Sequence, residues 1–124
     1  MKILIVDDSR TIRNIQKKTL NSLGHSEIDE ASDGLEALTA LSQGRPDLML
    51  VDWNMPNMDG ITLIKKVRET DKSLPIIMVT TEAEKSRVVE AIKAGVNNYV
   101  VKPFTAESLS EKINQTMAKF ASAK

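Results

Sequence analysis

The sequence predicts a doubly wound α/β domain: a five-stranded parallel sheet with helices on both faces, built as five consecutive β-α units. Three observations carry this. Short runs rich in Ile, Val and Leu recur five times along 124 residues. Between them lie longer segments whose apolar residues are spaced by three and four. Gly and Pro stand at the joins. Strands alternating with helices specify a parallel sheet joined by right-handed crossovers. With 41% apolar and 27% charged residues, the chain is globular rather than disordered.

The elements follow in order. Strands are predicted over Lys2–Val6, Ser26–Ala31, Asp47–Asp52, Pro75–Thr80 and Asn98–Val101. Central parallel strands are apolar on both faces. Ile3-Leu4-Ile5-Val6, Leu48-Met49-Leu50-Val51 and Ile76-Ile77-Met78-Val79 fit that pattern, whereas the polar second run, Ser26 to Ala31, reads as an edge. Helical faces are marked by Ile12, Ile15, Thr19 and Leu23; by Leu35, Leu38 and Leu41; by Leu63, Ile64 and Val67; by Val88, Val89 and Ile92; and by Leu109, Ile113, Met117 and Phe120. Gly24, Gly44 and Gly95 each follow a helix, where a left-handed residue is favoured. Asp33-Gly34 and Asp59-Gly60 open the second and third helices, and Thr105 caps the fifth.

Composition narrows the function. Lys+Arg and Asp+Glu both number 17, so the formal charge is zero. That argues against a nucleic-acid binder. With no Cys, thiolate nucleophiles, disulfides and Cys-ligated metals are excluded. A single His, His25, excludes a multi-His metal site. The N-terminal apolar run, Ile3 to Val6, is too short for a signal peptide or a membrane span. The expected setting is the cytoplasm, with no membrane contact.

The polar residues that end the apolar runs are the informative ones. Asp7-Asp8 end the first, Asp52 the third, Thr80-Thr81 the fourth and Lys102-Pro103 the fifth. Every strand of a parallel sheet ends on one rim, where open α/β sheets bind ligands. Taken singly, each is an ordinary cap or turn residue. Together they bring acids, a hydroxyl and an amine to one place. Carboxylates about 4 Å apart repel by about 4 kcal/mol at an effective dielectric near 20. A hard divalent cation relieves this, and carboxylates with water suit Mg²⁺. Cation, amine and hydroxyl around one carboxylate suit phosphoryl transfer to that carboxylate. Asp52 is the expected nucleophile; Asp7 and Asp8 are the expected metal holders.

The set Asp7-Asp8-Ser9, Asp52-Trp53-Asn54-Met55-Pro56, Met58-Asp59-Gly60, Thr80 and Lys102-Pro103-Phe104 resembles the receiver domain of bacterial response regulators, from Lys2 to about Phe120. Asn98 to Thr105 and Val79 to Ala83 are similar to the single-domain chemotaxis members of that family. The resemblance implies a flavodoxin-like sheet of order 2-1-3-4-5, and one receiver domain over 1–124 without a separate output domain. It implies that Asp52 takes a phosphoryl group from a sensor histidine kinase of the chemotaxis type, with Lys102 and Thr80 on the phosphoryl oxygens and a cis bond before Pro103. Asp7, Asp8, Asp52 and the backbone carbonyl of Asn54 would hold Mg²⁺. Tyr99 would turn inward and reshape a face containing Ala83, Lys85, Val101, Phe104, Thr105 and Lys112. That face would bind a flagellar motor switch protein. Asn54 and Glu82 occupy positions that tune phosphoryl lifetime, and a phosphatase is a further expected partner. Thr81 stands where the family usually has Ala or Gly, which implies an altered rate. A monomer is expected.

Other classes fit less well. A single-domain receiver can also serve as a phosphate sink or relay intermediate. An Asp-nucleophile phosphatase of the haloacid dehalogenase type wants Asp-x-Asp where this chain has Asp7-Asp8, and 124 residues leave no cap domain. A flavodoxin-type FMN carrier wants a Ser/Thr/Gly-rich loop there. A P-loop NTPase lacks its Gly-x-x-x-x-Gly-Lys.

Overall fold

A computed structural model describes residues 1–122; Ala123 and Lys124, the last residues of the expected domain, lie outside the described residues. Five strands alternate with five helices: β1 (Lys2–Val6), α1 (Arg10–Ser22), β2 (Glu27–Ala31), α2 (Gly34–Gln43), β3 (Leu48–Val51), α3 (Gly60–Thr70), β4 (Ile76–Thr80), α4 (Lys85–Ala94), β5 (Asn98–Val101) and α5 (Ala106–Ser122). All pairings are parallel and the order is β2-β1-β3-β4-β5, so the polar β2 is an edge, as its sequence predicts.

The sheet separates two cores by the period-two alternation of its strands. Leu4, Val6, Met49, Val51, Ile76 and Met78 face one way, packed with Ala37 of α2, Ile61, Leu63, Ile64 and Val67 of α3, and Ala91 and Ala94 of α4. Ile3, Ile5, Leu48, Leu50, Ile77, Val79 and Val100 face the other, with Leu20 of α1 and Leu109 and Ile113 of α5. Each Val, Leu, Ile or Met side chain among them contributes roughly 1.5–3 kcal/mol by leaving water.

The caps agree with the sequence at three helices. The carboxylates of Asp33 and Asp59 accept from Glu36 N and Thr62 N, and Thr105 Oγ1 accepts from Ser108 N. Gly24 and Gly95 have φ of 93° and 119°, in the left-handed region. Gly44 does not: its φ is 174°, extended backbone open to any residue.

Three helical faces differ from their apolar spacing. On α1 the buried residues are Gln16 and Leu20, while Ile15 is 47% exposed. The inward stripe runs through Gln16, whose amide conceals it from a hydrophobic reading. On α2 Leu35 is exposed and Ala37 is buried; on α4 Val89 and Ile92 are exposed while Ala91 and Ala94 are buried. On both helices alanines take buried positions, and the larger Leu35, Val89 and Ile92 stand outward. No helix among the described residues is long and apolar enough to cross a membrane.

Candidate functional site

The backbone ladder places the site. Val6 and Val51 are registered neighbours, as are Val51 and Met78, and Thr80 and Val101. The ladder then runs one step past the strands. Asp7 N donates to Ala31 O at 3.1 Å, Asp52 N to Val6 O at 2.9 Å and Lys102 N to Thr80 O at 2.8 Å. Asp7, Asp52 and Lys102 are thus fixed in register by the sheet itself, not by flexible loops.

Their side chains meet. Carboxylate oxygens of Asp7, Asp8 and Asp52 all lie within 4.8 Å of one another. Lys102 Nζ is 2.8 Å from Asp7 Oδ2 and 3.4 Å from Asp52 Oδ2. Asp7, Asp52 and Thr80 are buried, whereas Asp8 is exposed at the mouth. Ser9, not Asp7 or Asp8, caps α1, and its own N donates to Asp7 Oδ1. The tandem acids are therefore not consumed as helix caps. An open cleft of about 590 Å³, lined by Asp8, Asn54, Met55, Pro56 and Asp59, leads in from solvent.

Three carboxylates answered by one ammonium leave the site electronegative, and the donor set is oxygen-rich. Both features fit a hard divalent cation. The same geometry suits a phosphoryl group, with Asp52 flanked by an amine and the Thr80 hydroxyl. Lys102-Pro103 is a cis peptide.

Burial pushes the Asp52 carboxyl above its ordinary value of 3.8; Lys102 opposes this, the Asp7 charge adds to it, and bonds from Trp53 N and Thr80 oppose it. The folded protein therefore holds this proton more tightly than the unfolded chain. Stability from this group falls as pH rises from about 3.8 through the raised folded value. Asp52→Asn removes that loss. It should melt above the wild type at pH 7 without divalent cation, and the gain should vanish below about pH 3.8. In a domain of this size each kcal/mol is worth about 4 °C, which calorimetry at two pH values resolves.

Around the site, Asn54 Nδ2 donates to Glu82 Oε1 at 3.2 Å, linking the loops that follow β3 and β4. The Tyr99 ring is half-buried, and its hydroxyl donates to the Glu82 carbonyl at 2.6 Å. Burial, then the nearby Glu82 charge, raises the Tyr99 hydroxyl above its usual range. Thr81 is exposed, directly after the buried Thr80. The residues expected to form the partner face spread over neighbouring elements: Ala83 and Lys85 where α4 begins, Tyr99 and Val101 on β5, Phe104 and Thr105 before α5, and Lys112 on α5. Ala83, Lys85, Val101 and Thr105 are exposed, and Phe104 and Lys112 are half-buried.

Three residues escape a sequence reading. Arg13 Nη1 donates to the Asp7 carbonyl at 2.7 Å. The Arg87 guanidinium lies 5.1 Å from the centre of the Trp53 ring. Gly60, expected only to open a helix, lies against the Asp52 carbonyl, which a Cβ there would overlap. Two of the three act on a main-chain carbonyl, and the third brings together residues far apart in sequence, Arg87 and Trp53.

Comparison with known proteins agrees with this geometry. The family model described as the response regulator receiver domain matches residues 3–114. A chemotaxis protein CheY homolog of Campylobacter jejuni is 51% identical over 120 residues, covering 94% of this chain and 92% of its own. The chemotaxis protein CheY of Pseudomonas aeruginosa is 52% identical, over 93% and 94% of the two chains. Among solved structures, the chemotaxis protein CheY4 of Vibrio cholerae superposes with a TM-score of 0.86 at 38% identity, covering 93% of this chain and 97% of its own.

Proposed function

The chain belongs to the response regulator receiver family, and on that premise we propose that it is a phosphorylation-controlled switch of the chemotaxis type, with Asp52 as phosphoacceptor. It is a phosphoacceptor signalling protein rather than an enzyme that turns over a substrate. The observation that carries this is the meeting of Asp7, Asp8 and Asp52 within 4.8 Å, with Lys102 touching two of them.

Asp8, Asp52 and the backbone carbonyl of Asn54 would hold Mg²⁺, with Asp7 acting partly through water. The cation would neutralise the incoming phosphoryl oxygens. In the transfer, a carboxylate oxygen of Asp52 forms a bond to phosphorus. The P–N bond of the donor phosphohistidine breaks, and its electron pair leaves with the imidazole. Lys102 and the Thr80 hydroxyl hold phosphoryl oxygens by charge-assisted and neutral hydrogen bonds. Moving a two-state equilibrium from 1:99 to 99:1 takes about 5.5 kcal/mol. A few bonds at roughly 1.5–3 kcal/mol each can supply that. Thr80 reports to Glu82, whose N donates to Thr80 Oγ1 at 3.3 Å, and Glu82 holds Tyr99. The β4–α4 loop is thereby the route from the phosphoryl group to the partner face.

The partners that fit are a chemotaxis-type sensor kinase upstream and a flagellar motor switch protein downstream. A phosphatase would act at the mouth beside Asn54 and Glu82. The whole chain, 1–124, acts as a single cytoplasmic, monomeric receiver. Incubation with acetyl phosphate and Mg²⁺ should give one phosphoryl adduct by intact mass, absent with EDTA. An adduct formed equally well in EDTA, or none in Mg²⁺, overturns the reading.

A further inference from the structure

Asp7 is held at every polar atom. Its N donates to Ala31 O, its Oδ1 accepts from Ser9 N and its Oδ2 from Lys102 Nζ. The remaining group is the carbonyl, which accepts from Arg13 Nη1 at 2.7 Å. That carbonyl belongs to the peptide joining Asp7 to Asp8. Its orientation fixes the peptide plane and, through it, the direction in which Asp8 leaves the backbone. Asp8 is the exposed member of the acidic trio and lies in the loop between β1 and α1.

Arg13 is itself aimed. Its Nε donates to Glu30 Oε1 on β2 at 3.0 Å, and the other oxygen of Glu30 takes Lys17 Nζ at 3.0 Å. Its side chain is only 15% exposed. The planar guanidinium reaches both partners at once, a carboxylate on β2 and a carbonyl at the end of β1.

We propose that Arg13 is a positioning residue for the cation site: by fixing the Asp7–Asp8 peptide, it presents Asp8 in the orientation that binds a divalent cation. This rests on the metal reading above. Charge alone predicts the opposite behaviour. A cation beside a cation site weakens binding, so removing it would tighten Mg²⁺ by Coulomb's law. Loss of a group that orients a ligand typically weakens metal binding by 10–100-fold. The sign of the change therefore separates the two roles.

The test is Mg²⁺ titration of the wild type, Arg13→Met and Arg13→Lys, well below their melting temperatures, by Trp53 fluorescence and calorimetry. Arg13→Met should bind about tenfold more weakly. Arg13→Lys should also bind more weakly than wild type, because one nitrogen cannot occupy both guanidinium positions. A merely structural role would lower the melting temperature and leave the dissociation constant of the folded protein unchanged. Wild-type or tighter affinity in Arg13→Met overturns the proposal. If that variant does not fold, wild-type affinity in Arg13→Lys overturns it. A wild type that binds no Mg²⁺ removes the metal reading and this inference with it.

Discussion

Lys102→Met should destabilise the protein by about 3 kcal/mol at neutral pH, the low end of what is lost when one partner of a buried ion pair is removed. The Lys102 side chain is 11% exposed and that of Asp7 1%. Without the ammonium, the Asp7 and Asp52 carboxylates face each other with no positive charge in contact. Total stabilities of such domains are about 5–15 kcal/mol, so the variant should still fold. Two conditions should rescue it. Mg²⁺ should raise its melting temperature more than that of the wild type, because a cation there replaces the missing charge. Acid should narrow the deficit as well. Asp52, already raised by burial, takes up a proton as pH falls and then needs no counter-charge. Thermal melts at two pH values, with and without Mg²⁺, check both. An unchanged melting temperature at neutral pH would mean that the pair is not coupled to folding.

Gly60→Ala should displace Asp52, the proposed phosphoacceptor, through its backbone. A Cβ at Gly60 would overlap the Asp52 carbonyl and lie 3.1 Å from Trp53 Cα. Gly60 N also donates to Trp53 O at 2.8 Å, which ties the start of α3 to the segment carrying Asp52. Backbone cannot yield as a flexible side chain can, so Asp52 itself must shift. Overpacking of this kind costs about 1–3 kcal/mol. A displacement near 1 Å at reacting atoms can cost about a hundredfold in rate. The initial rate of adduct formation should fall at least about tenfold, with the fold intact by circular dichroism. A wild-type rate would show that α3 can move away without carrying Asp52 along.

The site was more legible in the sequence than the helix packing. Asp7, Asp8, Asp52, Thr80 and Lys102 could be brought together because a parallel sheet delivers all its strand ends to one rim, whatever the loops do. The continuous apolar runs of the three central strands marked that sheet in the sequence. Helix faces are subtler. The inward stripe of α1 includes Gln16, whose Oε1 is buried without a hydrogen-bond partner among the described residues. The contacts of α4 are alanines, so Val89 and Ile92, which look like core, stand outside. Arg13 and Gly60 were illegible for another reason. Each acts by touching a main-chain carbonyl, Asp7 or Asp52, and a carbonyl carries no residue identity for a pattern to register.

The central claim is that the three acids and Lys102 form a phosphoryl-accepting site centred on Asp52. Peptide mapping by mass spectrometry after exposure to acetyl phosphate and Mg²⁺ tests it most directly. The phosphoryl group should sit on Asp52 alone, and Asp52→Asn should carry none. A group found on any other residue of the wild type, or an adduct at full yield in Asp52→Asn, would contradict it.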